Sequence, residues 1–168
     1  PVDAKFVAGD KFPECCMPFW KRKFTGYTAG FDFAGDVLDA PKTSGFKKGD
    51  AIFGTSYQYP PQSFFQSRYT GTFQPFASVP ADQCASKPES LSFAEAASLP
   101  LVGLTCLQAF EQHGLSEGQR LLVVGASGGV GHIAVQLASK MGIHVTGVCS
   151  TPNVDMVKSL GASDVVDY

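Results

Sequence analysis

The sequence has no large excess of charge of either sign. Its 168 residues include 13 Lys and Arg against 15 Asp and Glu, a formal net charge of −2, and 44% of them are hydrophobic. Proteins that bind nucleic acid or an anionic membrane surface through charge usually have a strong basic excess. The one dense basic run, Lys21 to Lys23, is typical of a solvated loop. We therefore expect a globular protein with no nucleic-acid partner.

A paired or clustered cysteine pattern is also lacking. The five cysteines are odd in number and scattered, which argues against a disulfide framework and favours a reducing compartment. Cys15 and Cys16 are adjacent rather than spaced as C-x-x-C, and no second pair follows, so we expect no metal site. The reducing compartment that we expect is the cytoplasm. The chain begins at Pro1 without an initiator Met, and we interpret it as an internal segment of its parent protein. An N-terminal targeting sequence of the parent would lie outside this segment.

A glycine-rich turn between a predicted strand and a predicted helix is the most informative feature present. Leu121 to Val124 is an apolar run without alternation, as in a parallel strand covered on both faces. Apolar residues from Ile133 to Met141 predict a helix that ends before Gly142, and a second strand follows at His144 to Cys149. Such a turn lets backbone N–H groups approach a diphosphate at a helix N-terminus. The candidate diphosphate-binding residues are Ala126, Ser127, Gly128, Gly129, Val130 and Gly131.

Two other interpretations of this segment compete with nucleotide binding. The stretch from Leu121 to Ser139 has no formal charge and is long enough to raise the question of a membrane helix, but four glycines lie in its middle and Gln136 and His132 interrupt it. The turn also departs from the strict G-x-G-x-x-G pattern, since it reads A-x-G-x-x-G from Ala126, and similar turns occur in α/β proteins that bind no nucleotide.

The end of the second predicted strand indicates which dinucleotide would bind. An NAD site places Asp or Glu there, to accept a hydrogen bond from the ribose 2′-hydroxyl. This chain has Cys149, Ser150 and Thr151, with two hydroxyls that can donate to a 2′-phosphate, so NADPH is favoured over NADH. The nearest clear cation is Lys158. A simple helix N-cap at Ser150 or Thr151 is the alternative.

Several segments of the chain together resemble one family. GFDFAGDV, FKKGDAIFG, LSFAEAASLPLVGLTCLQAF and GASGGVGHIAVQLASKMG occur in that order. They are similar to the zinc-independent quinone oxidoreductase and enoyl reductase branch of the medium-chain dehydrogenase/reductase superfamily. The resemblance implies an α/β fold with two incomplete domains. Residues 1–91 would form part of a GroES-like, mainly β catalytic domain, and residues 92–168 the first half of a Rossmann domain, a doubly wound parallel sheet with strands 1 to 3.

Within this organisation, the pattern predicts particular elements. Ser92 and Glu95 predict a capping box at the start of a helix, and Pro100 would break this helix before a second one that runs through Phe110. The first strand of the parallel sheet would become an exposed apolar edge in a half domain. The remaining predicted strands are Phe31 to Leu38, Ala51 to Gly54, Phe73 to Val79 and Asp164 to Tyr168.

The resemblance also assigns cofactor contacts outside the glycine turn. Thr105 matches a threonine near the nicotinamide, and Ser150, Thr151 and Tyr168 would surround the 2′-phosphate. Tyr168 could equally serve only in strand packing. Many relatives have Lys or Arg just after the serine, where this chain has Pro152 and Asn153, which weakens the expected selectivity for NADPH.

The residues that would supply metal and proton chemistry differ from those of zinc-dependent relatives. Phe31 stands where the zinc branch has a ligand histidine, and we interpret Asp32 beside it as a structural hydrogen-bond acceptor rather than a catalytic group. The region from Thr55 to Phe76 is rich in aromatic residues that would line an apolar pocket or cover the core. Its tyrosines are Tyr57, Tyr59 and Tyr69, and none is assigned as the proton donor.

The sequence and the resemblance together predict a parent enzyme that transfers hydride from NADPH, without zinc, to the activated double bond of an enone, quinone or enoyl thioester. The expected partners are a small apolar carbonyl or quinone substrate and a second copy of the parent protein, as a homodimer. We expect the segment of residues 1–168 to be inactive alone. The alternative is a non-catalytic relative that keeps nucleotide binding for a regulatory or structural role.

Overall fold

The computed structural model describes residues 30–56 and 71–168. The chain divides into two compact units, Pro1–Leu101 and Val102–Tyr168. The predicted division followed residue 91, so residues 92–101 lie with the first unit instead of the second. The reason is a short helix, α1 (Phe93–Ala97), which packs against strands of the first unit.

The first unit contains an antiparallel sheet of three strands. Its strands are β1 (Asp32–Asp36), β2 (Ala51–Thr55) and β3 (Cys84–Ser86), in the order β1-β2-β3. Phe53 at the centre of β2 is paired with Ala34 on one side and Ala85 on the other. The strands predicted at Phe31 to Leu38 and Ala51 to Gly54 are therefore confirmed, with ends that differ by one or two residues.

The strand predicted at Phe73 to Val79 is wrong. The chain forms bends there, and Gln74 N–H donates to the carbonyl of Thr72 at 2.8 Å. Pro75 has no N–H to give to a sheet, and Phe73 and Phe76 are 67% and 72% exposed. The third strand lies further along, at β3, so aromatic content alone gave the wrong segment.

The predicted capping box is present at the start of α1. Glu95 N–H donates to Ser92 Oγ at 3.3 Å, and Ser92 N–H donates to Glu95 Oε2 at 2.8 Å. The Ser92 hydroxyl also donates to the same carboxylate oxygen at 2.7 Å. The hydrogen bond from the Ser92 side chain, followed by that from the Ser92 backbone, lowers the pKa of Glu95. Two orphan donors of a five-residue helix are thus satisfied locally.

Removal of the Ser92 hydroxyl tests this cap. Ser92→Ala should destabilise the first unit by about 1 kcal/mol, because the Glu95 N–H loses its acceptor. Since folding lowers the pKa of Glu95, its contribution is present above the unfolded-state pKa and is lost as pH falls through the folded-state pKa. The variant should therefore lose part of this acid sensitivity, measured by urea unfolding from neutral to acid pH. Ser90→Ala, at an exposed position nearby, is the control and should change little.

The second unit contains a parallel sheet that alternates with helices. Helix α2 (Pro100–Gln112) starts two residues before this unit. The strands lie in the order β4-β5-β6, all parallel, as a βαβαβ arrangement requires. The elements that follow α2 are β4 (Arg120–Val124), α3 (Gly129–Lys140), β5 (His144–Cys149), α4 (Val154–Ser159) and β6 (Asp164–Asp167).

These elements confirm the predicted strand, turn, helix and strand, and also the predicted third strand. Gly142 has φ +72° two residues after α3, a left-handed conformation that ends the helix as predicted. Val135 of α3, Val145 of β5 and Val157 of α4 are all 0% exposed and centre the core of this unit. The α/β organisation with a parallel sheet is therefore the observed one.

Strand β4 lies at the edge of the parallel sheet. Leu122 and Val124 are 62% and 75% exposed, whereas Val123 between them is buried. Within the described residues, then, only one face of β4 is covered, in contrast to the prediction of two. The membrane-helix alternative is wrong for this segment, because residues 121–139 form a strand, a turn and part of a helix. No helix among the described residues is long and apolar enough to cross a membrane.

Candidate functional site

The glycine turn connects β4 to α3 and is fixed to the neighbouring strand β5. Gly125, with φ +73°, reverses the chain immediately after β4. The N–H groups of Gly125 and Ala126 both donate to the carbonyl of Val148, at 3.0 and 2.9 Å. Gly128 N–H then donates to the carbonyl of Gly125 at 2.9 Å. The turn therefore lies at the carboxyl end of the parallel strands, where open α/β sheets bind their ligands.

Gly131 allows α3 to pass directly over this turn. A Cβ atom on Gly131 would collide with the carbonyl oxygen of Gly125 and lie 2.8 Å from Ala126 Cα. The neighbouring Gly129 differs, because a Cβ there would meet only Val102 Cγ1, at 3.7 Å. The last glycine of the A-x-G-x-x-G pattern is thus needed for close packing of helix and strand, the role this position has in dinucleotide-binding turns.

The N-terminus of α3 suits an anionic group. Gly128 is the N-cap, with extended φ and ψ, and no side chain caps the helix there. The first N–H groups of a helix lack intrahelical acceptors, and the helix dipole places partial positive charge beside them. No acidic residue lies in the first turn of α3. Ser127 to Gly131 therefore fit a diphosphate, whose oxygens would accept from the backbone of this turn.

Ala126 is placed differently from the other candidates in the turn. Its side chain is 0% exposed and belongs to the core, and its N–H is already used by the carbonyl of Val148. A Cβ on Gly147 of β5 would lie 3.1 Å from the Ala126 methyl group, so the strand and the turn leave room only for small residues here. Ala126 therefore packs beneath the turn, and neither its side chain nor its N–H is available to a ligand.

A polar cluster lies beside the turn, and its central residue is Asn153. The Asn153 amide nitrogen donates to Ser127 Oγ at 3.3 Å and to Ser150 Oγ at 3.1 Å. Ser127 belongs to the glycine turn, and Ser150 follows the last residue of β5. All three side chains are half-buried. The structure thus brings together two predicted site residues and one that the sequence interpretation treated only as a departure from the family pattern.

Thr151 and Tyr168 lie near the same end of β5. Thr151 is exposed and begins a short 3-10 turn, Thr151–Asn153. Tyr168 N–H donates to the carbonyl of Cys149 at 3.3 Å, which places Tyr168 next to the residue before Ser150. Tyr168 is 86% exposed within the described residues. The placement of Thr151 and Tyr168 beside a 2′-phosphate stays a prediction, as does the alternative of strand packing for Tyr168.

Thr105 lies on α2, next to a contact between α2 and α3. The buried thiol of Cys106 donates to the carbonyl of Val130 at 3.4 Å, and burial raises the pKa of this thiol. The thiol therefore stays protonated and keeps its donor. Thr105 is exposed and has a polar or electrostatic interaction of its own. Its placement near a nicotinamide stays a prediction.

Asp32 acts as a hydrogen-bond acceptor, as predicted. Leu101 N–H, in the first turn of α2, donates to Asp32 Oδ1 at 3.0 Å. This donor is one of the N–H groups that α2 itself cannot satisfy, and a carboxylate is also favoured at the positive end of a helix. Asp32, the residue after Phe31, thus caps the N-terminus of α2.

The described ranges, 30–56 and 71–168, contain no group of three His, Cys, Asp or Glu side chains that could hold a metal ion. Several predictions fall on residues that these ranges do not include. They concern Cys15, Cys16, Lys21 to Lys23, Tyr57, Tyr59, Phe64, Phe65 and Tyr69.

The chain is similar to known oxidoreductases over its whole length. The zinc-binding dehydrogenase family model matches residues 129–168. A chloroplast envelope quinone oxidoreductase homolog of Arabidopsis thaliana is 37% identical, over 100% of this chain and 49% of the relative. The trans-enoyl reductase pgmF of Aspergillus terreus is 36% identical, over 100% and 45%. Human mitochondrial NAD(P)H oxidoreductase RTN4IP1 is 38% identical, over 100% and 38%. The chain spans about half the length of such relatives, or less.

Solved structures show the same similarity. The quinone oxidoreductase from Coxiella burnetii aligns with a TM-score of 0.76 and 31% identity, over 100% of this chain and 50% of that protein. The yhdH oxidoreductase from Salmonella enterica, solved in complex with NADP, aligns with a TM-score of 0.69 and 28% identity, over 86% and 44%. The fold of this chain is therefore shared with these oxidoreductase structures over most or all of its length.

Proposed function

We propose that this chain, a member of the quinone oxidoreductase and enoyl reductase branch of the medium-chain dehydrogenase/reductase superfamily, is part of an NADPH-dependent oxidoreductase. The similarity to quinone oxidoreductases and a trans-enoyl reductase supports the reaction class. A relative named as an NAD(P)H oxidoreductase and a neighbour solved with NADP support a nicotinamide cofactor. When bound, such a cofactor supplies a hydride.

The observation that most supports NADPH is the cluster of Ser127, Ser150 and Asn153. The hydroxyls of both serines can donate to phosphate oxygens, and no carboxylate follows β5 at Ser150 or Thr151 to repel a 2′-phosphate. The diphosphate would lie on the turn from Ser127 to Gly131. The proposed diphosphate and 2′-phosphate would thus both lie close to Ser127.

We propose that the acceptor is a small apolar carbonyl compound or quinone with an activated double bond, reduced without zinc. Phe31 has a hydrocarbon side chain that cannot bind a metal, and Asp32 beside it is used to cap α2. The proton that completes the reduction would come from a side chain or water. The proposed oligomer of the whole protein is a homodimer, and the proposed compartment is the cytoplasm.

Turnover by the intact protein tests this function. NADPH oxidation, followed at 340 nm, should require an enone, a quinone or an enoyl thioester, and should be slower with NADH because the 2′-phosphate contacts are lost. Addition of a zinc chelator should leave the rate unchanged. Residues 1–168 alone should show no steady turnover, since they correspond to about half of the relatives' length.

Binding of NADPH without turnover on any of the three acceptor classes would contradict an enzyme and would support a non-catalytic nucleotide-binding relative instead. Cell fractionation checks the compartment, since the relatives include proteins named for the chloroplast envelope and the mitochondrion.

A further inference from the structure

The side chain of Asn153 is used differently from an ordinary helix cap. Asn153 is the N-cap of α4, a position where Asn usually accepts a hydrogen bond from the backbone of its own helix. Here it makes no such cap, and its amide points back toward Ser127 and Ser150. Ser150, the N-cap of the preceding 3-10 turn, also makes no side-chain cap. Two N-cap residues, Asn153 and Ser150, are therefore hydrogen-bonded to each other instead, and Asn153 also to Ser127.

The direction of these hydrogen bonds leaves both serine hydroxyls available as donors. An amide nitrogen has two N–H donors, and Asn153 gives one to each Oγ atom. A serine oxygen that accepts from an amide still has its own O–H, which must donate elsewhere. Both serines can then act as donors to a third group, and a ligand that only accepts, such as a phosphate, matches them.

The backbone supports the same arrangement. Asn153 N–H donates to the carbonyl of Ser150 at 2.9 Å, which fixes the short turn between them. Ser127 lies on the other side, 26 residues earlier in the chain, within the glycine turn. Asn153 therefore connects the segment that would hold the diphosphate with the segment that would hold the ribose.

We propose that Asn153 is a positioning residue that sets the preference for a 2′-phosphorylated dinucleotide, by holding the hydroxyls of Ser127 and Ser150 as donors toward the phosphate. The proposal rests on the proposed cofactor and adds the residue that determines its selectivity. It also explains how a site with Pro152 and Asn153 in place of a Lys or Arg can recognise a phosphate: oriented neutral donors replace the cation.

Asn153→Asp is the sharpest test, because it keeps the shape of the side chain and reverses its hydrogen bonding. The carboxylate would accept from both serines, which turns their O–H groups away from the ligand, and would add a negative charge near the phosphate. Affinity of the intact protein for NADPH should fall about tenfold or more, while affinity for NADH should change less than about threefold. Fluorescence titration with each reduced dinucleotide measures both.

A second set of variants separates positioning from structural damage. Asn153→Ala should lower NADPH affinity in the native background, but should have little further effect once Ser127 and Ser150 are both alanine, because there are no hydroxyls left to orient. Ser159→Ala, on the same helix, is the matched control and should keep the native ratio of NADPH to NADH affinity, since its hydroxyl donates to Met156. The melting temperature of each variant checks that it is folded.

The possible outcomes are distinct. If the native protein binds neither dinucleotide, the proposed cofactor is wrong and the role of Asn153 is wrong with it. If the native protein prefers NADPH and Asn153→Asp keeps that preference, the cofactor stands and the role of Asn153 is overturned. An undiminished effect of Asn153→Ala in the double-serine background would likewise overturn it. Should Asn153→Asp fail to fold, the Asn153→Ala comparison decides.

Discussion

Gly131→Ala should destabilise the second unit by about 3 kcal/mol, at the upper end of the range for overpacking. The new methyl group would collide with the carbonyl oxygen of Gly125 and would approach Ala126 Cα to 2.8 Å. Both are backbone atoms, and the turn is fixed because Gly125 and Ala126 donate to Val148. A flexible side chain could move away, but this backbone cannot do so without breaking those hydrogen bonds.

Gly129→Ala is the matched control for this prediction. It lies in the same helix, two residues earlier, and its new methyl group would make only an ordinary contact with Val102 Cγ1 at 3.7 Å. Its stability should stay within about 0.5 kcal/mol of the native value or rise slightly, since alanine restricts the unfolded chain. Native-state hydrogen exchange of the amides in β4, β5 and β6 measures both variants. Equal effects of the two substitutions would show that the close approach at Gly131 is unimportant.

In the first unit, Gly54→Ala should destabilise the antiparallel sheet by about 2 to 3 kcal/mol. Gly54 lies in β2 and is paired with Cys84 of β3. A Cβ atom there would collide with the carbonyl oxygen of Gln83 and would lie 2.8 Å from Phe33 Cζ. The ring of Phe33 can rotate, but Gln83 is held by its N–H, which donates to the carbonyl of Pro80 at 3.1 Å. We therefore expect the pairing of β2 with β3 to be weakened.

Gly35 in the neighbouring strand β1 provides the comparison. A Cβ atom on Gly35 meets nothing within 4 Å, so Gly35→Ala should be neutral or stabilise the sheet by about 0.5 kcal/mol. Urea unfolding, combined with exchange of the amides in β1 to β3, distinguishes the two variants. A native-like Gly54→Ala protein would mean that the backbone around Gln83 adapts at low cost.

The elements that local signals specify are those that the sequence predicted. The glycine turn, the capping box of Ser92 and Glu95, and the helix stop at Gly142 each depend on residues within a few positions of one another. The β3 strand was missed because Cys84 to Ser86 is short, while Phe73 and Phe76 gave a stronger but misleading β signal from exposed positions.

Contacts between distant residues explain the rest. Asp32 could be interpreted as an acceptor, but its donor, Leu101 N–H, lies 69 residues away and no pattern identifies it. From the sequence, Asn153 was noted only because it stands where many relatives have Lys or Arg. Its hydrogen-bond partner Ser127 is 26 residues away. The one local clue was Asn three residues after Ser150, a spacing compatible with a side-chain hydrogen bond in a turn.

The carbonyl of Val148 also affects how much conformational entropy the glycine turn would lose when a ligand binds. It accepts from Gly125 and Ala126, on either side of the bend, while its own strand continues to Cys149 and then to Ser150. The glycine turn and the end of β5 are therefore held together by backbone hydrogen bonds in the absence of a ligand. Ordering a loop at the moment of association would cost conformational entropy and weaken affinity. Because these hydrogen bonds form during folding, the proposed dinucleotide would not have to meet that cost when it binds.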